Sequence, residues 1–192
     1  MKKKQSKEWV TLDEYNQIIN NPYIPRREEL IISILYGCAL RVGELAKLKV
    51  TDINIETSTI TIWESKRSND PTLVPVPAPV LKLIVQWIKD NKLSKNRHLL
   101  FSIRDKKLAI SQIHRIIKSA SKRAGIEKDL TCHSFRRSRA THLLDAGLPL
   151  EQVSKLLRHK NLSTTMIYLK ISIKELQLAI KKLDNHENKL PY

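Results

Sequence analysis

Apolar residues recur at helical spacing over most of the chain, and this pattern predicts a domain built mainly from helices. Residues 11–20 form the first predicted helix, because the segment from Thr11 to Glu14 has the form of a capping box. A second helix is predicted over 26–39, with one apolar face. Further helices are predicted at 42–48, 79–91, 110–124, 134–146, 149–158, 162–169 and 172–184.

The period changes from helical to alternating between residues 59 and 76. Residues 59–63 read Thr-Ile-Thr-Ile-Trp, and residues 73–76 are a second short run typical of a strand. The segment between them is polar, basic and rich in turn residues, so the two runs predict an antiparallel hairpin with a long tip. The expected fold class is therefore mixed α/β, predominantly helical, with a small antiparallel β-hairpin or sheet.

The length of 192 residues suits one well-buried domain and is too short for two large ones. We expect a basic leader over 1–10, one domain over 11–184 and a C-terminal tail over 185–192. No apolar run approaches the roughly 20 residues of a membrane span, and the N-terminus lacks the apolar stretch of a secretory signal. The sequence thus predicts no membrane partner and a cytoplasmic, nucleoid-associated location.

Charge gives the first indication of a partner. Lys and Arg number 35 against 19 Asp and Glu, a formal net charge of +16. Such an excess favours a polyanion such as nucleic acid, because neutralised phosphates release condensed counterions. A basic protein from a lineage that favours lysine would show the same excess. Hydrophobic residues make up 41% of the chain, which argues against wholesale disorder.

No metal or other cofactor is expected. The two cysteines are too few for a disulfide framework, and the histidines near Cys132 lack the spacing of a structural zinc site. Two reduced thiols are the simpler interpretation.

The polar residues that interrupt the apolar pattern form a set suited to phosphodiester chemistry without a metal. That chemistry requires fixed cations for the charge on the phosphate oxygens, a nucleophile and an acid for the leaving oxygen. Arginine is the best cation for the purpose, since it is always charged and donates two parallel hydrogen bonds to phosphate. The candidates, in chain order, are Arg41 with Glu44, Lys66, His133 with Arg136, His159 and Tyr168.

In this order the motifs resemble the catalytic domain of the tyrosine recombinase (phage integrase) family. The resemblance runs from about Thr11 to Lys182 and includes an arginine with an acidic residue three positions later, a hairpin lysine, an H-x-x-R box and a histidine followed by T-T-x-x-Y. Each motif alone is weak. All five in the correct order, with Tyr168 nine residues after His159, are a specific combination.

The resemblance implies a role for each candidate. Arg41 and Arg136 would clamp the scissile phosphate, Tyr168 would attack it, and Lys66 would protonate the 5′-oxygen that leaves. The remaining implied roles fall to His133, which would relay the tyrosine proton, to His159, which would hydrogen-bond a phosphate oxygen, and to Glu44, which would orient its neighbours. Further contacts to DNA are expected from Arg67, Arg137, Arg139, Arg158 and Lys160.

Each candidate also has a plainer interpretation. Arg41 would serve equally to cover apolar surface, and Glu44 would serve as a solvated carboxylate. Lys66 has the weakest case, because exposed hairpins often carry lysine and another loop cation would serve as the acid. Tyr168 could be a half-buried helix aromatic. The other tyrosines at 15, 23 and 36 fall in the first predicted helices without cations at useful spacing, and Tyr192 is expected on a frayed chain end.

The chain departs from the family pattern in three places. Arg158 stands where the family usually has glycine, and the loop that holds Lys66 is longer and contains Asp70-Pro71. The N-terminal helical domain with which family members close around DNA is expected to be absent. This would make the chain either a natural single-domain member or a fragment, with reduced DNA affinity in both cases.

The resemblance implies site-specific recombination of double-stranded DNA through a 3′-phosphotyrosine intermediate. Partner protomers, up to a tetramer, would assemble on DNA, with the helix predicted at 172–184 as a candidate contact between them. Two alternatives stay open: relaxation of DNA in the manner of a type IB topoisomerase, and a non-catalytic DNA-binding regulator with the same fold. The DNA site, the outcome of recombination and cleavage in cis or in trans are not predicted by the sequence.

Overall fold

The computed structural model describes residues 9–63, 71–102 and 107–159. Its helices are α1 (Leu12–Ile19), α2 (Arg26–Gly37), α3 (Val42–Lys47), α4 (Ala78–Asp90), α5 (Ile110–Arg123), α6 (Cys132–Asp145) and α7 (Leu150–Leu157), and its strands are β1 (Ile53–Asn54), β2 (Thr59–Ile62) and β3 (Thr72–Pro75). The described part is therefore mainly helical with one small antiparallel sheet, which confirms the predicted fold class. The helices predicted at 162–169 and 172–184 lie outside the described residues.

Side-chain caps set where two of the helices begin. At α1 the predicted capping box is present: Glu14 N–H donates to Thr11 Oγ1 over 3.2 Å, and Thr11 N–H donates to the Glu14 carboxylate over 2.9 Å. Helix α6 begins at Cys132, earlier than the predicted residue 134, because the hydroxyl of Thr131 accepts the N–H of Ser134 over 3.3 Å. The threonine thus satisfies an amide that the helix leaves without an internal partner.

Helix α2 is the centre of the core. All of its residues from Leu30 to Gly37 are buried, and it packs against α1, α3, α4, α5 and α6. A helix buried on nearly every side needs a long apolar run, and the sequence LIISILYG supplies one. The helix ends at Gly37 rather than at Ala39 as predicted, because Ala39 has left-handed backbone with φ of 49°.

The sheet has the strand order β1-β2-β3 and is antiparallel throughout. Ile60 stands opposite Ile53 on one side and Val74 on the other, and Ile60, Ile62 and Val74 face the core. The predicted hairpin is therefore correct, and β1 is an addition to it. A strand of two residues is too short to show an alternating pattern in the sequence.

Helix α7 packs through a small apolar cluster separate from the main core. The cluster consists of Ala39, Ala140, Val153 and Leu157. These residues come from the turn after α2, from α6 and from α7, so the cluster brings the C-terminal ends of α2 and α7 together beside α6. None of the helices in the described ranges is long and apolar enough to cross a membrane.

Candidate active site

Arg41 and Glu44 are bonded to each other at the start of α3. Arg41 is the residue before the helix, and its main-chain N–H donates to Glu44 Oε2 over 2.7 Å. Its Nη1 donates to Glu44 Oε1 over 2.8 Å, while 46% of the Arg41 side chain is exposed. The spacing of three residues places the carboxylate over the first turn, where it caps the helix and holds the arginine at once.

Arg136 lies in the interior of the protein and is bonded to the ends of two helices. It is 2% exposed, and its Nη1 and Nη2 donate to the carbonyl oxygens of Ala39 and Leu157. Those carbonyls follow α2 and end α7, where helix carbonyls have no partner within the helix and the helix dipole is negative. A guanidinium on α6 therefore joins the turn that leads to Arg41 with the turn that leads to His159.

Arg158 makes two further hydrogen bonds between the end of α7 and the start of α3. Its Nη2 donates to Glu44 Oε2 over 2.6 Å, and its own carbonyl accepts from Arg41 Nη2 over 2.9 Å. The charges of Arg158 and Arg41 outweigh the burial that by itself would raise the pKa of Glu44, so the pKa of this carboxyl lies below its usual value. Glu44 is thus ionised near neutral pH and accepts hydrogen bonds from both arginines.

Two histidines stand in the field of these arginines. Partial burial and the charges of Arg136, Arg137 and Arg41 lower the pKa of His133, although its ring keeps an exposed surface. Burial and the charges of Arg136, Arg41 and their neighbours lower the pKa of His159 from 6.5 to about 4. Both rings are therefore neutral near pH 7, where each has one nitrogen that donates and one that accepts.

A cavity of about 380 Å³ opens beside Arg41. Its walls include Glu44 and Lys47 from α3, and Trp63 at the end of β2. The indole of Trp63 is largely exposed and donates to Asp52 over 3.3 Å. Strand β2 therefore ends next to the cavity that Arg41 lines, and the segment predicted as the hairpin tip follows Trp63 in the sequence. Lys66 itself lies outside the described residues.

Of the remaining residues that the sequence predicted for the site, two are described by the structure and three are not. The Arg139 guanidinium lies over the ring of Tyr36, 5.4 Å from its centroid, and Arg137 is half-buried. The predicted contacts of these two residues with DNA stay predictions. Outside the described residues lie Arg67, Lys160 and Tyr168.

The first helices hold the tyrosines that compete with Tyr168. Tyr15 and Tyr36 stack with ring centroids 4.0 Å apart, and the Tyr36 hydroxyl hydrogen-bonds to His142 Nδ1 over 2.8 Å. Burial raises the pKa of both phenols. Their surroundings therefore disfavour the phenolate that a tyrosine nucleophile requires.

Sequence reasoning missed two features of the site, the carbonyls that hold the arginines and the inward direction of Arg158. The carbonyl acceptors belong to Ala39, Leu157 and Arg158, and a main-chain oxygen leaves no trace in the sequence. The arginine at position 158, where the family usually has glycine, indicated that this residue differs from the family pattern. It did not indicate that the side chain turns inward to Glu44. Within 9–63, 71–102 and 107–159, no three His, Cys, Asp or Glu side chains stand close enough together to hold a metal ion.

The bonded arginines leave the cluster with a surplus of positive charge. Arg41 and Arg158 bind the carboxylate of Glu44, Arg136 binds two main-chain carbonyls, and two neutral histidines adjoin these arginines. Fixed guanidiniums beside neutral imidazoles can hold a phosphate group and can accept or donate a proton next to it. The charge and the hydrogen-bond donors of the described residues are therefore suited to a phosphate group.

Comparison with known proteins gives the family. The sequence model of the phage integrase family matches residues 8–175, so the chain belongs to the phage integrase family. It is 35% identical over 185 residues to the tyrosine recombinase XerA of Pyrococcus furiosus, covering 93% of this chain and 63% of that protein. The chain thus spans less than two thirds of that relative's length.

Solved structures with the same fold agree with this assignment. The crystal structure of XerA recombinase superposes with a TM-score of 0.79 at 26% identity, covering 96% of this chain and 66% of that one. The XerH site-specific recombinase, crystallised on its palindromic difH substrate after cleavage, superposes with a TM-score of 0.76 at 22% identity, covering 92% of this chain and 53% of the other. At that identity the second likeness shows the fold alone.

Proposed function

We propose that this chain cleaves and rejoins double-stranded DNA at specific sites through a 3′-phosphotyrosine intermediate, as a tyrosine recombinase. The observation that carries the proposal is the hydrogen-bonded group of Arg41, Glu44 and Arg158. Arg136 is anchored next to it on the carbonyls that precede Arg41 and Arg158, and two neutral histidines lie beside these arginines. Membership of the phage integrase family supports the same reading, as does the net charge of +16.

The geometry suits the first half of the reaction. A guanidinium carries five N–H donors, and two of those of Arg41 are engaged by Glu44 and by the Arg158 carbonyl. Its exposed face therefore has donors for a phosphate that arrives from solution. Arg136, Lys66 and Tyr168 take the roles that the family resemblance implies, namely second clamp, acid for the leaving 5′-oxygen and nucleophile.

The neutral histidines suit the proton transfers. A phenol has a pKa of about 10, so Tyr168 needs an acceptor for its proton near neutral pH. A neutral His133 ring offers an acceptor nitrogen, which a protonated ring would lack. Neutral His159 retains one N–H with which it donates to a phosphate oxygen. The enzyme ester conserves the phosphoester linkage, so rejoining needs no ATP.

Assembly and location follow from the same proposal. Strand exchange needs two duplexes and several protomers, and the segment 172–184, which lies outside the described residues, is the proposed contact between them. The protein would act in the nucleoid, where its substrate is. Sedimentation with and without DNA tests assembly, and a protein that stays monomeric on DNA while relaxing it would favour the topoisomerase reading.

Covalent trapping tests the chemistry. The full chain is incubated with a supercoiled DNA library, quenched with detergent, and the protein-linked DNA ends are recovered and sequenced. We expect adducts from the wild type, none from Tyr168→Phe, and an unchanged yield from the control Tyr23→Phe, whose side chain is 82% exposed in the turn between α1 and α2. Equal yields from wild type and Tyr168→Phe would contradict the proposal, and so would a wild type that binds the library but never forms an adduct.

A further inference from the structure

Arg158 has a backbone conformation that disfavours its own side chain. It follows α7 with φ of 52° and ψ of 48°, the left-handed region in which a residue after a helix is most often glycine. A Cβ atom in this region is strained, and strain of this kind persists only where the surroundings hold it in place. An arginine at this position therefore carries a backbone strain that glycine would avoid.

The Arg158 side chain turns inward rather than toward solvent. It is 2% exposed, and its Nη2 donates to Glu44 Oε2 while its Nη1 donates to the carbonyl of Leu156 over 2.9 Å. Its Nε is buried and has no hydrogen-bond partner among the described residues. A guanidinium in this position is not available to a phosphate on the DNA surface.

The two ends of Arg158 meet the same pair of residues. Its guanidinium binds Glu44, its carbonyl binds Arg41, and Arg41 and Glu44 bind each other through both main chain and side chain. The result is a closed ring of hydrogen bonds through Arg41, Glu44 and Arg158. Opening the ring at the guanidinium of Arg158 removes one of the two hydrogen bonds that Glu44 Oε2 accepts. The carboxylate is then held only by the main chain and side chain of Arg41, the residue that it orients.

We propose that Arg158 is a positioning residue that fixes the plane of the Arg41 guanidinium toward the scissile phosphate, and that it does not itself contact DNA. The inference rests on the proposed function for the identity of the phosphate. A glycine at position 158 would keep the main-chain carbonyl that accepts from Arg41, but it would lose the hydrogen bond from the Arg158 guanidinium to Glu44. The Arg158 side chain thus adds a second guanidinium that holds the Glu44 carboxylate in place.

The first test needs no activity. Nitrogen-15 arginine spectra of the full chain are recorded for the wild type and for Arg158→Gly, which removes the side chain and fits the backbone. The Arg41 signals are assigned by their loss in Arg41→Lys. We expect separate, slowly exchanging Nη signals for Arg41 in the wild type and a single averaged signal in Arg158→Gly. Unchanged Arg41 signals in the variant would overturn the proposal.

Two further variants distinguish the positioning of Arg41 by the Arg158 side chain from a general effect of lost positive charge. Arg158→Lys keeps the positive charge and the strained backbone, so we expect Arg41 signals between those of the wild type and of Arg158→Gly. Lys155→Gln removes one exposed charge from the same helix and should leave the Arg41 signals as they are. If Lys155→Gln averages the Arg41 signals as fully as Arg158→Gly does, loss of charge is the cause and positioning is refuted.

The second test measures the reaction. In single-turnover trapping on a recovered DNA site, Arg158→Gly should slow adduct formation on the order of 10- to 100-fold with little change in DNA affinity, since a misplaced clamp costs rate. An unchanged rate with weakened affinity would make Arg158 a DNA contact and overturn the inference. If the wild type forms no adduct, the proposed function fails, and the Arg41 signals alone then decide whether Arg158 positions Arg41.

Discussion

At the scale of single residues, Glu44 carries the electrostatic balance of the candidate site. Its carboxylate is 15% exposed and accepts from two guanidiniums, one of them nearly out of contact with solvent. A partly buried ion pair adds little to the free energy of unfolding compared with a pair of apolar side chains of similar size. Removal of only one partner is costly, because it leaves a buried charge without a counterion. The role of the Glu44 carboxylate is therefore to compensate the buried charge of Arg158.

Glu44→Gln should lower the free energy of unfolding by about 3 kcal/mol near neutral pH, because the buried Arg158 charge loses its counterion. Urea titration followed by circular dichroism measures the change. The control is Glu56→Gln, an exposed carboxylate in the turn between β1 and β2, which should change stability by less than about 0.5 kcal/mol. Equal effects of the two substitutions would contradict the assignment of Glu44 as the counterion.

His159 should give the fold a dependence on pH. Its pKa is about 4 in the folded protein against 6.5 ordinarily, so between these values the unfolded chain binds a proton that the folded chain does not. Stability is complete above the ordinary value and is lost as the pH falls toward the folded value. His159→Asn should flatten this part of the curve of unfolding free energy against pH.

The control for His159→Asn lies within the same titration. More than about one pH unit above 6.5 neither state takes up a proton at this position, so the curves of wild type and variant should run parallel there. A difference in slope that persists above this range, or no difference below it, would count against a neutral His159 in the folded protein.

At the scale of elements, close packing of α2 on α4 depends on a glycine. A Cβ atom added to Gly37 would lie 2.8 Å from Val80 Cγ2, closer than such atoms approach. Valine has few side-chain rotamers, so it cannot easily move aside. The small residue at the end of α2 thus lets α4 approach the central helix.

Gly37→Ala should destabilise the protein by about 1 kcal/mol, since overpacking exceeds the gain in helix propensity. Gly43→Ala is the matched control on α3, where a Cβ atom would meet nothing within 4 Å, and it should be neutral or stabilising. Thermal unfolding of both variants measures the difference. A stabilised Gly37→Ala would show that α2 and α4 have room between them.

At the scale of the whole molecule, the surplus of positive charge should govern binding to DNA. A protein that contacts several phosphates loses affinity steeply as salt rises, because each contact releases counterions. With a net charge of +16 on the chain, we expect affinity for a random duplex to fall by about 10³ or more between about 50 and about 200 mM salt. Fluorescence anisotropy measures it. A fall of less than about tenfold would limit the interface to a few phosphates.

Local patterns determined much of the structure in advance. The helical spacing of apolar residues gave the order of the helices from α1 to α7, and the alternation over 59–63 gave the hairpin. The pairing of Arg41 with Glu44 was also predictable, since three residues bring a carboxylate back over the start of a helix. The motifs then pointed to the family, which the comparison confirms.

Tertiary structure alone decided how the site is held together. The bonds from Arg41 and Glu44 to Arg158 join residues 117 and 114 positions apart, and Arg136 binds carbonyls that any residue type would offer. Periodicity and capping act over a few residues and contain no information on such contacts. The sequence by itself therefore determined which residues are the candidates for the chemistry. The direction of Arg158, inward to Glu44 rather than outward to DNA, depends on how α7 packs against α6 and the turn after α2.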